Sequence, residues 1–583
     1  MNWLIEESGL YVEATQIRWD RLHLYLTVSA DLPEDSSYLP EELDYYMVYR
    51  KGKARARFDV KKLEDGQLEL HVNVTNNGEN QMIPFGLYRI YVCRGEDILA
   101  ECQTRMDLAR ELMERSRIFT YSNFHNAYNV LFYVEINEED KMPFRIQIRN
   151  LQEIPLIFPR NEDWKQEIKD TVDYVQHDVK RKVRNMYQKA RNRHKNDRKN
   201  TVLFLTTQSD RLVNNLEAVY QKMYERGLDK QFRILTYSKN VAGISVKKRE
   251  DWPEFTDLVA SAEYIFIDDH VPAFDWLWIP RSTKIIQLWH AGAGFKSSGY
   301  NRWGNVGSPG PQSCHRQYTW GISGSRKIAS FFSDAWGINE EKVVSTGMPR
   351  MDSYLNEDYR KKTVEALYEK YPMAVDKKVI LFAPTFRGKN RATAYYPYEA
   401  VDLSALYEVC GEEYIVFFKA HPWVNNQLTI DEKYADRLYD ISDYPNINDL
   451  FYITDLMITD YSSGIYEYSL MRKPMLFFGF DEERYGFSRG FHRSFEDSAP
   501  GKVCHTFDQI IRAIAEKDFE YEKVEQYVED HFDYFDTHAC DRCIDWFLLG
   551  KMPQDIIDRL EAKKAAMKRM AALDFKKPET EEE

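Results

Sequence analysis

The chain has no GxxxxGK[ST] loop, so it lacks the backbone cradle that nucleoside triphosphatases close around their phosphates. It has no HExxH zinc motif, and no GxGxxG follows its first α/β strands. No run of about 18 apolar residues occurs, which predicts no membrane-spanning helix. Glu6 and Glu7 stand where a secretory leader needs a basic start and an apolar run, so export by that route is not expected. Cysteine is sparse: seven residues scattered from Cys93 to Cys543 predict reduced thiols in a cytoplasmic protein rather than a disulfide framework. Cys540 and Cys543 form a CxxC, but no second pair or His cluster completes a tetrahedral zinc site. Positive charge is also in deficit. Lys and Arg number 79 against 93 Asp and Glu, a net charge of -14 that predicts no nucleic-acid partner.

What is present is an ordinary globular composition, 43% hydrophobic and 30% charged. At 583 residues the chain is too long for one core, which predicts several domains. Residues 1–158 read as a β-rich accessory domain of the sandwich type. Segments such as GLYVEATQIRWDRLHLYLTVSA, QLELHVNVTN and FRIQIRN alternate apolar and polar residues between turn signals. An acceptor-binding role and a purely structural role both fit this region. Residues 159–200 read as a basic helical linker. Ten Lys or Arg residues and one acid, Asp197, lie between Lys180 and Lys199, which suits an anionic membrane surface at about 1 kcal/mol per well-placed charge. A polyanionic polymer, or plain solvation, suits it too.

From residue 201 the pattern becomes strand, polar loop, helix, repeated. TVLFLTT, FRILTY, YIFIDD, KIIQLWH and KVVSTG belong to a unit over 201–365. VILFAPTFRGK, YIVFFKAHP, DLMITDYSSGIYEYSL and MLFFGFD belong to a second over 366–550. Both read as parallel doubly wound sheets. Residues 551–583 read as a terminal helix and an acidic tail, ETEEE.

The polar residues stand at the carboxyl ends of these strands, where open α/β sheets bind ligands. In QLWHAGAGFKSSGY, His290 follows a strand at a bend holding Gly292 and Gly294, where small residues permit close approach to a ligand. A histidine there can take a proton from a hydroxyl, and Lys296 can steady negative charge. A lone histidine can equally be structural. In FFKAHPWV, Lys419 and His421 stand two apart, on one side of an extended segment whose geometry Pro422 reinforces. APTFRGK adds Thr385, Arg387 and Lys389, and STGMPR adds Arg350. ITDYSSGIYEYSL ends a strand at Asp460 and opens a helix with Ser462 and Ser463, an arrangement suited to phosphate but also to simple capping. Glu467 lies one turn further in, able to accept from polyol hydroxyls. Asp268 and Asp269 read as solvated acids at a strand end, so no metal site is expected. Cationic loops inside an acidic chain point to an anionic substrate.

These loops, in order, resemble the CDP-glycerol glycerophosphotransferase family, which includes the teichoic acid polymerases. The matching stretches are QLWHAGAGFK, STGMPRMD, ILFAPTFRG, FKAHP, NDLFYITDLMITDYSSGIYEYSLMRKPMLFFGFD and FEDSAPGKV. The resemblance implies a GT-B fold, an α/β architecture of two Rossmann-like domains facing a cleft, with no cofactor. It implies that residues 201–365 form the acceptor side and 366–550 the CDP-polyol side. It implies transfer of glycerol or ribitol phosphate from the CDP-polyol donor to a lipid-linked polyol-phosphate acceptor, with release of CMP at the inner face of the cell membrane. By motif, His290 and His421 match the two essential histidines. Arg350, Pro384, Thr385, Lys419, Ser462, Ser463 and Glu467 match the family's donor-binding positions, and Trp289, Lys296, Arg387 and Asp460 complete the expected substrate-binding set. Many glycerol polymerases read WHGTP where this chain reads WHAGA, and often carry Asp where Glu467 stands. The WHAGAGFK form is similar to the ribitol branch. The rival expectations are a GT-B glycosyltransferase using a nucleotide sugar, and a non-catalytic polymer-binding protein.

Overall fold

The computed structural model describes residues 9–572, apart from 34–35, 37, 50–53, 79, 96, 122–125, 136–140, 153–163, 242–243, 293–294, 304–307, 312 and 389–390. Gly294, Lys389 and the ETEEE tail therefore lie outside the described residues.

The N-terminal strands are β1 (Tyr11–Asp20), β2 (His23–Asp31), β3 (Asp44–Tyr49), β4 (Arg55–Arg57), β5 (Asp59–Lys62) and β6 (Leu68–Asn73). They continue with β7 (Gly86–Arg94), β8 (Asp97–Glu101), β9 (Gln103–Arg105), β10 (Arg117–Tyr121), β11 (Asn126–Val134) and β12 (Lys141–Gln152). The sequence predicted two stacked sheets. In the structure nine of these strands follow one hydrogen-bonded path, β4-β3-β7-β12-β9-β1-β2-β6-β5, with β8 off β7 and β10 and β11 off β12; β12 joins the two halves by pairing with β7 through Arg145–Ile148 and with β9 through Lys141–Pro143. The alternation read in the sequence is kept: Leu24, Leu26 and Val28 of β2 meet Tyr88 and Ile90 of β7 in one buried core.

The second sheet comprises β13 (Thr201–Thr206), β14 (Arg233–Ser238), β15 (Tyr264–Ile267), β16 (Lys284–Gln287), β17 (Trp320–Ile322) and β18 (Val343–Val344), in the order β14-β13-β15-β16-β17-β18. The third comprises β19 (Lys378–Phe382), β20 (Tyr414–Phe418), β21 (Leu438–Asp440), β22 (Leu456–Thr459), β23 (Met475–Phe478) and β24 (Lys502–Cys504), in the order β21-β20-β19-β22-β23-β24. Every pairing in both is parallel. Parallel sheets are covered on both faces, which is why these strands read as unbroken apolar runs. Phe204 stacks on Phe266 at 5.2 Å, and burial of such a side chain contributes about 1.5–3 kcal/mol. Strand order reverses beside β13 and beside β19, which opens a crevice at the carboxyl end of each sheet.

The basic segment after the N-terminal sheet contains the helix Trp164–Arg193. Val183, Tyr187 and Ala190, at helical spacing, are buried against Leu203, Leu205 and Val259, so its C-terminal half is part of the middle unit. The last helix, Gln554–Ala572, also docks: Met570 is buried with Tyr46 and Val48 of the N-terminal sheet.

Candidate functional site

The site begins with a strained residue. Trp289, just past β16, has φ +50, a left-handed conformation costing a bulky side chain about 1–3 kcal/mol. Three hydrogen bonds hold it there. Its amide donates to Gln287 Oε1 at 2.9 Å, while Asn215 Nδ2 donates to the carbonyls of Trp289 at 2.8 Å and Leu288 at 3.0 Å. Asn215 is fully buried, and its Oδ1 accepts the Arg350 amide at 3.0 Å, so one side chain on a helix start clamps two loops. The kink stacks the Trp289 ring on His290 at 4.5 Å.

His290 Nδ1 faces the Asp268 carbonyl at 3.1 Å and the Asp269 carboxylate at 3.8 Å. With its proton held there, Nε2 keeps a free lone pair. Asp268 is not the solvated acid expected from the sequence. It is 6% exposed, and burial, with the Asp269 charge beside it, pushes its carboxyl up to about 6.

Arg350 joins the two α/β units. Its Nη1 donates to the His290 carbonyl at 3.0 Å, and its Nε donates across the cleft to Glu467 Oε1 at 3.1 Å, with Nη2 closer still to the same oxygen. Glu467 is thus an ion-pair partner here, where the sequence suggested a polyol acceptor. Gly292 serves the same junction: a Cβ there would stand 2.5 Å from the Tyr466 ring, so what approaches this glycine is the opposite unit.

Lys296 lies on a strip sewn to the second unit. The Ser297 amide donates to the Gly490 carbonyl at 3.0 Å, and the His492 amide to the Phe295 carbonyl at 2.6 Å. Burial, with Arg489 and Arg387 nearby and Asp460 opposing them, pushes the Lys296 ammonium down to about 8. Burial, followed by the Lys296 and Lys419 charges, lowers His421 to about 4, so its ring is neutral at pH 7. His421 Nδ1 accepts the Trp423 amide at 3.2 Å, which leaves its proton on Nε2 as a donor. Lys419 is 5% exposed, and its Nζ donates to the Ser442 carbonyl at 2.8 Å.

Two residues of the sequence-derived set sit behind the site. The Arg387 guanidinium is saturated: Nε and Nη2 donate to Asp481 at 2.7 and 2.8 Å, and Nη1 to Asp460 at 2.9 Å and the Thr385 carbonyl at 2.6 Å. Asp460 is fully buried, and its Oδ1 accepts the amides of Thr385 at 2.7 Å and Tyr461 at 2.6 Å. The two residues, expected from the sequence to contact substrate, form a buried box that locks the ends of β19 and β22 together. Pro384 is buried there too. Thr385 Oγ1 is buried and has no hydrogen-bond partner. The helix after β22 starts at Ile465, two residues later than expected, with Ser462 Oγ accepting the Gly464 amide at 3.2 Å and Ser463 exposed.

A cavity of about 370 Å³ gathers Trp289, His290, Lys296 and Ser463. A second, of about 600 Å³, adjoins it and shares Asp269, Trp289, Ser298 and Arg302. No described residue of the N-terminal sheet lines either one. That sheet acts from behind, as Trp303 stacks on Tyr121 at 5.2 Å and is buried in its core. Beside the outer cavity, which His270 and Asp275 line, these two and the buried Cys314 offer ligand atoms within 4.8 Å of one another. They are satisfied as they stand, with Asp275 facing His270 Nε2 at 3.0 Å and accepting the Cys314 amide at 2.7 Å.

Residues 187–548 match the family described as CDP-Glycerol:Poly(glycerophosphate) glycerophosphotransferase. The chain belongs to this family. It is 39% identical to the teichoic acid ribitol-phosphate polymerase TarL of Staphylococcus aureus over 351 residues, 59% of this chain and 62% of that protein. It is 36% identical to the teichoic acid poly(ribitol-phosphate) polymerase of Bacillus spizizenii over 365 residues, 62% of this chain and 58% of that protein. The chain therefore spans about three fifths of the length of these relatives. The wall teichoic acid polymerase TagF shares the fold, with a TM-score of 0.51 and 21% identity over 68% of this chain and 99% of its own.

Sequence reasoning missed Asn215, Asp481 and Arg302. An asparagine at a helix start and an aspartate after a strand are too common to stand out without their partners.

Proposed function

We propose that this protein transfers ribitol phosphate from CDP-ribitol to the terminal hydroxyl of a polyol-phosphate polymer, releasing CMP. The observation that carries the reading is electrostatic. Lys296, Arg302 and Arg489 have no carboxylate within ion-pair distance among the described residues, beside a neutral His421 and a His290 with a free Nε2. Uncompensated cations around a cleft attract a polyanion. The names of the relatives favour ribitol over glycerol.

In this reading residues 201–365 carry the acceptor side of a GT-B enzyme and 366–550 the donor side. The acceptor hydroxyl loses its proton to His290 Nε2 and its oxygen attacks the β-phosphorus. The bond from that phosphorus to the CMP oxygen breaks. Lys296 and the His421 Nε2–H stabilise the donor diphosphate and the charge that develops on the departing CMP, and Ser462 and Ser463 offer hydroxyl donors. Phosphoryl transfer depends mainly on such positioning and charge stabilisation.

The protein is read as working at an anionic membrane face on a lipid-linked acceptor. Among the described residues no helix is long and apolar enough to cross a membrane. The basic helix lies beside Trp278, which is 70% exposed with Arg191 5.8 Å from its ring, a pairing suited to a headgroup layer.

The test feeds CDP-ribitol, CDP-glycerol and UDP-sugars with an oligo(polyol phosphate) acceptor. CMP release with chain extension is expected from CDP-ribitol. UDP release from a nucleotide sugar, or no CMP from either CDP-polyol, overturns the reading.

A further inference from the structure

Arg302 is a buried-side cation that the reaction above leaves unused. It ends the short turn Gly299–Arg302 and lines both cavities, standing at their shared wall with Ser298, Trp289 and Asp269. Its Nε donates to the Ser297 carbonyl at 3.0 Å, and no carboxylate pairs with it among the described residues. Burial, with Arg489 nearby, disfavours its charge, and no carboxylate among the described residues pairs with the guanidinium to offset that cost.

The turn is built to stay still. On one side of Arg302, the Tyr300 hydroxyl donates to the carbonyls of Gly310 at 3.0 Å and Pro311 at 3.1 Å, tying the turn to the far wall of the outer cavity. On the other side, Trp303 is inserted among Tyr121, Phe119 and Tyr128 of the N-terminal sheet. A guanidinium held at a fixed place presents a planar donor fork that suits phosphate.

The order of groups along the two cavities gives the ligand. The inner one holds His290 Nε2, where a terminal hydroxyl must lie. The outer one leads away from the donor side, and its lining among the described residues runs from Asp269 to His315. A polyol-phosphate chain presents its first phosphodiester one polyol behind the reacting hydroxyl, on the path past the shared wall. We infer that Arg302 binds this first phosphodiester of the acceptor and that the outer cavity receives the chain behind it. The inference rests on the polyol-phosphotransferase reading and assigns its acceptor subsite. The N-terminal sheet then contributes to the reaction indirectly, by holding the turn through Trp303.

The experiment compares full-length wild type with R302Q on two acceptors: an oligo(ribitol phosphate) and free ribitol. The acceptor KM for the phosphate-bearing chain is expected to rise about ten- to a hundred-fold, the range for a hydrogen bond to a charged group. The donor KM is expected to stay within about two-fold, and the preference for the phosphate-bearing acceptor to collapse. R302K, which keeps a charge, is expected to recover part of it. An unchanged acceptor KM, or an equal loss on both acceptors, overturns the inference. A second arm measures binding of labelled oligo(ribitol phosphate) without donor. Weaker binding by R302Q supports the subsite even if wild type releases no CMP, and equal binding refutes it. If R302Q does not fold, S298D takes its place. Ser298 precedes the turn at a position that tolerates Asp, and a carboxylate there neutralises Arg302. It is expected to raise the acceptor KM alone, and no change overturns the inference.

Discussion

Removing one partner of the Arg350–Glu467 pair should separate the two α/β units more than any surface change. The side chains are 14% and 6% exposed, so this is a buried pair spanning the cleft. At an effective dielectric of about 20, charges about 3 Å apart attract by roughly 5 kcal/mol, most of it offset by the desolvation of both groups. Truncating one partner leaves the other charged and dry, which costs about 3–5 kcal/mol. For a cooperative unit of about 150–250 residues that lowers Tm by at least about 6 °C. R350A and E467A should each show it. The double variant leaves no orphan charge, so its loss should fall short of the sum by about 0.5–3 kcal/mol, the range for residues in direct contact. The two single variants should also differ in turnover. R350A loses the hydrogen bond to the His290 carbonyl as well, so CMP release should fall further than in E467A. Calorimetric unfolding of the four proteins of the cycle, with CMP release on each, reads both effects. Additive losses, with coupling under about 0.5 kcal/mol, would refute the view that this pair latches the units.

Three further outcomes are expected. H290A should lose about 10²–10⁴-fold in turnover, the worth of general-base help, with donor KM little changed; near-normal turnover removes His290 from that role. Because Lys296 is held down to about 8, it is charged below that pH and loses its proton above it, so donor KM should rise above pH 8. K296R stays charged and should abolish that rise, whereas an identical profile in both proteins would take Lys296 off the donor side. N215L strips three backbone groups on two loops of a buried hydrogen-bonding partner and should cost about 1–3 kcal/mol per group left unsatisfied, together with much of the turnover; a stable, active N215L would show that Trp289 holds its conformation unaided.

The sequence by itself determined the alternation of strands and helices, the two parallel sheets and the loops that bear the chemistry. Those signals are local: an apolar run, a following glycine, a serine pair after a strand. It also placed His290 and His421 at strand ends. Tertiary structure decided what each polar side chain faces. Arg387 and Arg350 look alike in sequence, yet one is enclosed by Asp460 and Asp481 and the other bridges to Glu467 from more than a hundred residues away. The strain at Trp289 was invisible because it is imposed by Asn215, whose hydrogen bonds form only after the chain from residue 215 to residue 350 has closed around the β13–β18 sheet. The same holds for Arg302, whose fixed position depends on Trp303 reaching a core built by residues near 120. Charge pairing and loop clamping act through space between distant segments, and a linear pattern carries no record of them.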